Sequence, residues 1–160
     1  TRVRVEQYTW MRAVAETSDG KLHASSKIVR ASGGCSAPAG KDFEEAMARL
    51  GRMKLKIEND AGSAAAATLM VSHPNMNGMQ MDQVTRHFTP AHFVRRIEVS
   101  YAGRTLLTAD VDFALSENPQ LRFQFKPQEG GELQATVIDS KDLTFTQTVA
   151  VKGGALASSK

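Results

Sequence analysis

The chain has 160 residues, 41% of them hydrophobic, which suits one sizeable domain, or a domain with a fragment beside it, and excludes global disorder. A formal charge of +3 without a dense Lys/Arg block, and an aromatic content of 6%, give no nucleic-acid signature. A single cysteine excludes an intrachain disulfide and a cysteine zinc cluster, and no apolar run approaches the ~20 residues of a membrane-spanning helix.

Val3 and Val5 alternate with Arg2, Arg4 and Glu6, the period of a short strand. A chain that opens inside a strand pattern, without a signal peptide, reads as the product of processing, truncation or cleavage. Residues 8–16 and 21–31 flank Thr17-Ser18-Asp19-Gly20, and Asp-Gly between two such runs predicts a hairpin. Residues 1–30 therefore predict two or three antiparallel strands, too few to bury a core of their own. A soft stretch follows: Ala31-Ser32-Gly33-Gly34-Cys35-Ser36-Ala37-Pro38-Ala39-Gly40 reads as a loop and holds the only cysteine. A helix is predicted over 42–50. Asp42 fits the N-cap, with Glu45 three residues on as in a capping box. Phe43, Ala46, Met47 and Leu50 form one apolar face, and Gly51 is the stop.

From Arg52 the period changes to two. Met53, Leu55 and Ile57 alternate with Arg52, Lys54, Lys56 and Glu58. Residues 64–71 form an apolar run bounded like a strand. Phe93, Ile97, Val99 and Tyr101 share one parity, and an Ala102-Gly103 turn leads into residues 105–111. Leu121, Phe123 and Phe125 come next, then Leu133, Ala135 and Val137 after Gly130-Gly131. Leu143, Phe145, Val149 and Val151 close the series. About seven short strands predict an all-β fold, a β-sandwich of immunoglobulin or fibronectin type. Residues 153–160 predict a frayed tail.

Few constellations in this pattern can carry chemistry. Cys35 sits among residues with little to bury it, so it is either an accidental exposed thiol or a mobile nucleophile. Its reactive form is the thiolate. Lys27, Arg30 and Lys41 are the nearby cations in sequence, with Asp42 opposed to them. His73, Met76, Met79 and Met81, with His87 or His92, offer donors soft enough for Cu(I). The plainer reading is a polar loop whose methionines cover the edge of the sandwich. Asp110 and Asp112 read as a solvated edge and His92 as structural. HExxH, P-loop, GxGxxG and GxSxG motifs are all missing, and no nucleophile, base and orienter assemble.

Val71-Ser72-His73-Pro74, Gly78, Pro90-Ala91-His92-Phe93-Val94 and Asn118-Pro119-Gln120-Leu121 resemble SoxZ, a subunit of the periplasmic sulfur-oxidation carrier. The resemblance runs from about Arg52 to Val151. Residues 1–35, with Ser18-Asp19-Gly20-Lys21 and Gly33-Gly34-Cys35, resemble the end of SoxY, its partner. The order is that of SoxYZ-like carriers associated with quinoprotein dehydrogenases. The resemblance implies the last strands of a SoxY-like domain over 1–34 and a carrier loop with linker helix over 35–51. A SoxZ-like sandwich over 52–152 and a tail over 153–160 follow.

It also implies a non-enzymatic periplasmic carrier that holds sulfur intermediates covalently on Cys35. Gly33 and Gly34 then belong to the carrier loop, and no metal or cofactor is needed. The implied partners are enzymes of thiosulfate oxidation or a quinoprotein dehydrogenase, with neither nucleic acid nor membrane. The missing SoxY-like strands come from another chain or a cleaved N-terminal fragment. The alternative is a copper- or protein-binding accessory of such a dehydrogenase, with His73, Met76, Met79 and Met81 as docking or metal residues. The sequence departs from the family's free terminal arm, because Ser36 to Gly40 tether the cysteine on both sides. At ~3.3 Å per residue, a ten-residue loop doubled back reaches at most ~15 Å.

Overall fold

The computed structural model describes residues 1–35, 43–59, 64–82, 85–127 and 130–151. Asp42, Lys41, the 36–40 part of the loop and the predicted tail lie outside the described residues. The first two strands, β1 (Thr9–Glu16) and β2 (Leu22–Val29), pair in an antiparallel ribbon from Thr9↔Val29 to Glu16↔Leu22. Gly20, at φ +77°, makes the turn and donates to the Thr17 carbonyl at 2.8 Å, as Asp-Gly predicts. The expected strand at Val3–Val5 does not join this ribbon. Val3 forms an isolated bridge to Leu115 instead, because its hydrogen-bonding partners lie in a distant loop.

The predicted helix is α1 (Phe43–Ala48), shorter than the spacing suggested. Arg49 and Leu50 leave it in a tight turn, with Leu50 N donating to Met47 O at 3.1 Å. Gly51 then takes φ +76° and donates to Ser72 O at 2.9 Å. A Cβ at Gly51 would meet the Phe145 ring at 2.1 Å, so glycine is required by space as well as by backbone conformation.

Seven strands follow: β3 (Met53–Asn59), β4 (Ala65–Val71), β5 (Val94–Tyr101), β6 (Arg104–Asp110), β7 (Gln120–Phe125), β8 (Glu132–Asp139) and β9 (Thr144–Ala150). They form two antiparallel sheets, in the orders β3-β4-β7 and β6-β5-β8-β9. The predicted parities set the facing. Leu55, Ala67, Leu69 and Phe125 of the first sheet share one buried cluster with Ile97, Val99, Leu133, Ala135 and Val137 of the second. Tyr101 and Phe125 meet edge to face across it, at 5.1 Å between centroids. The result is the all-β sandwich that the alternation predicts.

The register places three connections at one end of this sandwich. Met70 pairs with Gln120 and Val94 with Asp139, while Arg96 pairs with Asp110. The 72–93 and 111–119 crossovers and the 140–143 turn therefore emerge together, and the sequence-predicted site residues of the sandwich lie there.

Candidate functional site

Two features meet at that end: a buried hub of side chains and the cysteine. The hub forms around Asp139, the last residue of β8, whose inward parity continues that of Val137. Asp139, His73 and His92 are all fully buried. One Asp139 oxygen accepts from the backbone of Lys141 (2.8 Å) and Leu143 (3.0 Å), closing the β8–β9 turn. The other lies 2.7 Å from His92 Nε2 and 3.6 Å from His73 Nε2. The two imidazoles meet edge to face at 4.7 Å. Burial pushes His73 down to about 4, and the neighbouring His92 adds to this. Burial raises the Asp139 carboxyl, but the hydrogen bonds from His92, Leu143 and Lys141 outweigh it and hold the group below its ordinary value.

One nitrogen from each ring and the Asp139 carboxylate lie within 4.8 Å of one another, and His73 Nε2 and His92 Nδ1 have no hydrogen-bond partner among the described residues. The donor set nonetheless does not suit a metal. The backbone N–H of Asn75 donates to His73 Nδ1 at 3.0 Å, so a neutral His73 carries its hydrogen on Nε2. Coordination through Nε2 would require a hydrogen on Nδ1, facing that N–H. Both rings instead turn Nε2 towards one carboxylate oxygen, which His92 hydrogen-bonds at 2.7 Å and which His73 faces at 3.6 Å, beyond hydrogen-bond distance, and the arrangement is a buried clamp. It fastens the His-Pro loop and the start of β5 to the β8–β9 turn. The structural reading of His92 agrees with this. Asp139 carried no motif, and its only sequence signal is an acidic residue at an inward parity just before a turn.

The loop above the clamp holds the cysteine. Asn75, at φ +48° and fully buried, donates through Nδ2 to Leu115 O (2.7 Å) and accepts from Val94 N (2.9 Å). The Arg4 guanidinium donates to the carbonyls of Asn75 (2.8 Å), Phe113 (3.3 Å) and Leu115, while Arg4 N donates to Ala114 O at 2.7 Å. The chain start is thereby bound to the sandwich. Cys35 is bound to both: its N–H donates to Glu6 Oε2 at 2.7 Å, and its carbonyl accepts from Asn77 Nδ2 at 2.7 Å.

The glycines before the cysteine are held in place. Gly33, at φ +68°, donates to Glu6 O at 2.8 Å, and Gly34 donates to Val5 O at 3.1 Å. A Cβ on Gly34 would stand 2.6 Å from that Val5 oxygen, so close backbone approach excludes a side chain. The half-buried thiol is pushed above its ordinary value by burial and by the Glu6 carboxylate, against the pull of Arg4. Among the described residues, Arg4 and Glu6 are the charges that act on the sulfur, in place of the sequence-near Lys27 and Arg30. Neither was expected, because only the folded chain brings residues 4–6 beside residue 35.

The methionines do not share one environment. Met76 is buried and bridged to His92, Met79 is exposed, and Met81 is half-buried and bridged to Phe88. Asp110 is exposed and paired with Arg96 at 2.9 Å, in keeping with a solvated edge.

Fold and site together define a two-layer antiparallel sandwich whose loop end holds a cysteine-bearing β-ribbon segment. The chain belongs to the SoxZ family: residues 53–150 match the model of Sulphur oxidation protein SoxZ. Residues 1–35 match that of Sulfur oxidation protein SoxY, so a partial SoxY domain precedes the SoxZ domain. No curated protein matches the chain.

Among solved structures, a hypothetical protein from Pyrococcus horikoshii OT3 is 15% identical, with TM-score 0.46, over 62% of this chain and 85% of its own. The reduced superoxide reductase (neelaredoxin) from Archaeoglobus fulgidus is 13% identical, with TM-score 0.47, over 63% and 89%. The superoxide reductase from Nanoarchaeum equitans is 12% identical, with TM-score 0.44, over 62% and 90%.

Proposed function

We propose that this chain is a non-enzymatic periplasmic carrier, which holds sulfur intermediates covalently on Cys35 and presents them to partner enzymes of thiosulfate oxidation. One observation supports the reading above the rest: the SoxY match ends on Cys35, and that residue is fastened by Glu6 and Asn77 at the junction of the ribbon segment and the SoxZ sandwich. In this reading the divisions 1–34, 35–51, 52–152 and 153–160 are carrier strands, carrier loop with linker helix, sandwich and tail.

The chemistry asked of Cys35 is exchange at sulfur. Its thiolate attacks a sulfur–sulfur bond of an oxidised donor such as tetrathionate. A new bond forms to Cys35 and thiosulfate leaves with the electron pair. The Arg4 charge favours both the thiolate and the anionic adduct, against the Glu6 carboxylate, which favours the thiol. The partners include the rest of a SoxY-like sheet. Tyr8, Trp10, Val14, Leu22 and Ile28 of the ribbon are exposed, Trp10 directly opposite Ile28, and a second layer of strands would cover them.

Intact mass after treatment with tetrathionate tests the carrier. The expected result is one adduct that reductant removes and that Cys35→Ser lacks, with the fold unchanged. A thiol that resists both tetrathionate and an alkylating reagent until the protein unfolds would make Cys35 structural and end the carrier reading.

A further inference from the structure

The outer faces of the two sheets carry opposite charge. On β3, the alternation that buries Met53, Leu55 and Ile57 turns Lys54, Lys56 and Glu58 outward, with Arg52 in the same parity just before the strand. On β7, Arg122 faces outward, and Lys126 continues its parity past the end of the strand. The register lays Lys56, Thr68 and Arg122 in one row across the sheet. Among the described residues, five cations thus stand against one acid on this face. Glu58 is shared between Lys56 (2.8 Å) and Arg122 (3.8 Å), and Arg52, Lys54 and Lys126 have no ion-pair partner among the described residues.

The outer face of the second sheet carries Arg96 against Glu98, Asp110 and Glu132. Thr136, Thr144, Thr146 and Thr148 make up much of the rest. Lysine on an edge strand commonly blocks edge-to-edge pairing, and β3 and β7 are both edges. The second sheet's edges, β6 and β9, present no lysine, so edge protection alone does not account for the asymmetry.

We propose that the outer face of β3-β4-β7 is a docking surface for an acidic face of a protein partner. Charge complementarity selects the occupant. The cations are exposed, and neighbours along a strand stand ~7 Å apart, so they form a broad field and not a pocket for one small anion. Among the described residues of this face, no aromatic side chain points outward to stack on a base, and the half-buried Met70 is the only large apolar group available to enter a lipid surface. Thr68, Gln120 and Gln124 intersperse the cations with hydrogen-bonding groups suited to a polar protein interface. Position supports the same occupant. The Arg52, Lys54 and Gln120 end of the face is the end from which the loops holding Cys35 emerge, so one protein can cover both. The proposal stands on the charge pattern and does not depend on a sulfur adduct.

The test uses fluorescently labelled poly-L-glutamate as the acidic probe, with the full chain at low and high salt. The reversal Lys54→Glu/Lys56→Glu/Arg122→Glu is compared with Lys21→Glu/Arg104→Glu/Lys141→Glu, which changes net charge equally elsewhere. Salt-sensitive binding is expected, with a loss of about tenfold or more for the first triple and within about twofold for the second. Should the first triple fail to keep its circular dichroism, the glutamine triple at the same positions replaces it, with the same ordering expected. Equal loss in both triples, or no binding by the unaltered chain, overturns the proposal. So does tighter binding to phosphatidylglycerol vesicles than to polyglutamate. Cys35→Ser should bind as the unaltered chain does, so a failed carrier test leaves this result standing.

Discussion

The ribbon and the sandwich are written in the same two-residue period and end in opposite conditions. Trp10 is 66% exposed and Leu22 71%, whereas Leu69, Val99 and Leu133 are fully buried. Alternation specifies that a segment is a strand and which residues share a face. Burial requires a second layer, and the ribbon has none among the described residues. The sandwich draws its stability from two facing sheets and from the Asp139 clamp at its loop end. The ribbon segment is joined to it mainly through hydrogen bonds of residues 2–4 and of Cys35.

The hardest strike at this contrast is Asp139→Ala. It strips an acceptor from His92 and from the backbone of Lys141 and Leu143 at a fully buried site. A loss of about 3 kcal/mol is expected, read from urea unfolding followed by far-ultraviolet circular dichroism. A change no larger than that of an exposed substitution would show that the clamp does not hold the sandwich.

Acid sharpens the contrast next. Folded His73 binds its proton only at about 4, while the unfolded chain binds it near the ordinary value of 6.5. Protons therefore favour the unfolded chain between those values. The contribution is complete above pH 6.5 and declines as the pH falls towards about 4. Asp139, held below its ordinary 3.8, adds a further loss only at lower pH. Unfolding midpoints should fall between pH 7 and 4.5, and His73→Asn should flatten that decline. An unchanged slope in the variant would assign the acid sensitivity to other groups.

The smallest effect belongs to the ribbon. Trp10→Ser should leave the dichroism midpoint within about 0.5 kcal/mol, because its side chain is not part of the core. Trp10 is the only tryptophan, so its emission should already be that of a solvated indole in the native state and change little on unfolding. A blue-shifted native emission would mean that something covers the ribbon in solution.

Much of the architecture was legible locally. Leu121, Phe123 and Phe125 are seen in one short window, as are Leu133, Ala135 and Val137, and parity is a local property of a strand. The helix was overextended because Leu50 continues the apolar spacing while the chain already turns towards Gly51. Of the site, Cys35 and the His-Pro segment stood out by composition. Asp139, Arg4 and Glu6 did not, since Glu6 meets Cys35 from 29 positions away, Asp139 meets His92 from 47 and Arg4 meets Leu115 from 111.

By itself, then, the order of residues determined the strands, the buried faces, the turn at Asp19-Gly20 and the family likeness, all carried by side-chain alternation or by contiguous motifs. The tertiary structure alone decided three things. His73 and His92 share one carboxylate; Gly34 must lack a side chain because Val5 passes beside it; and the cations of β3 and β7 lie on one face. Each depends on the register between strands and on the course of the loops, and hydrogen bonds and packing between residues distant in the chain set both.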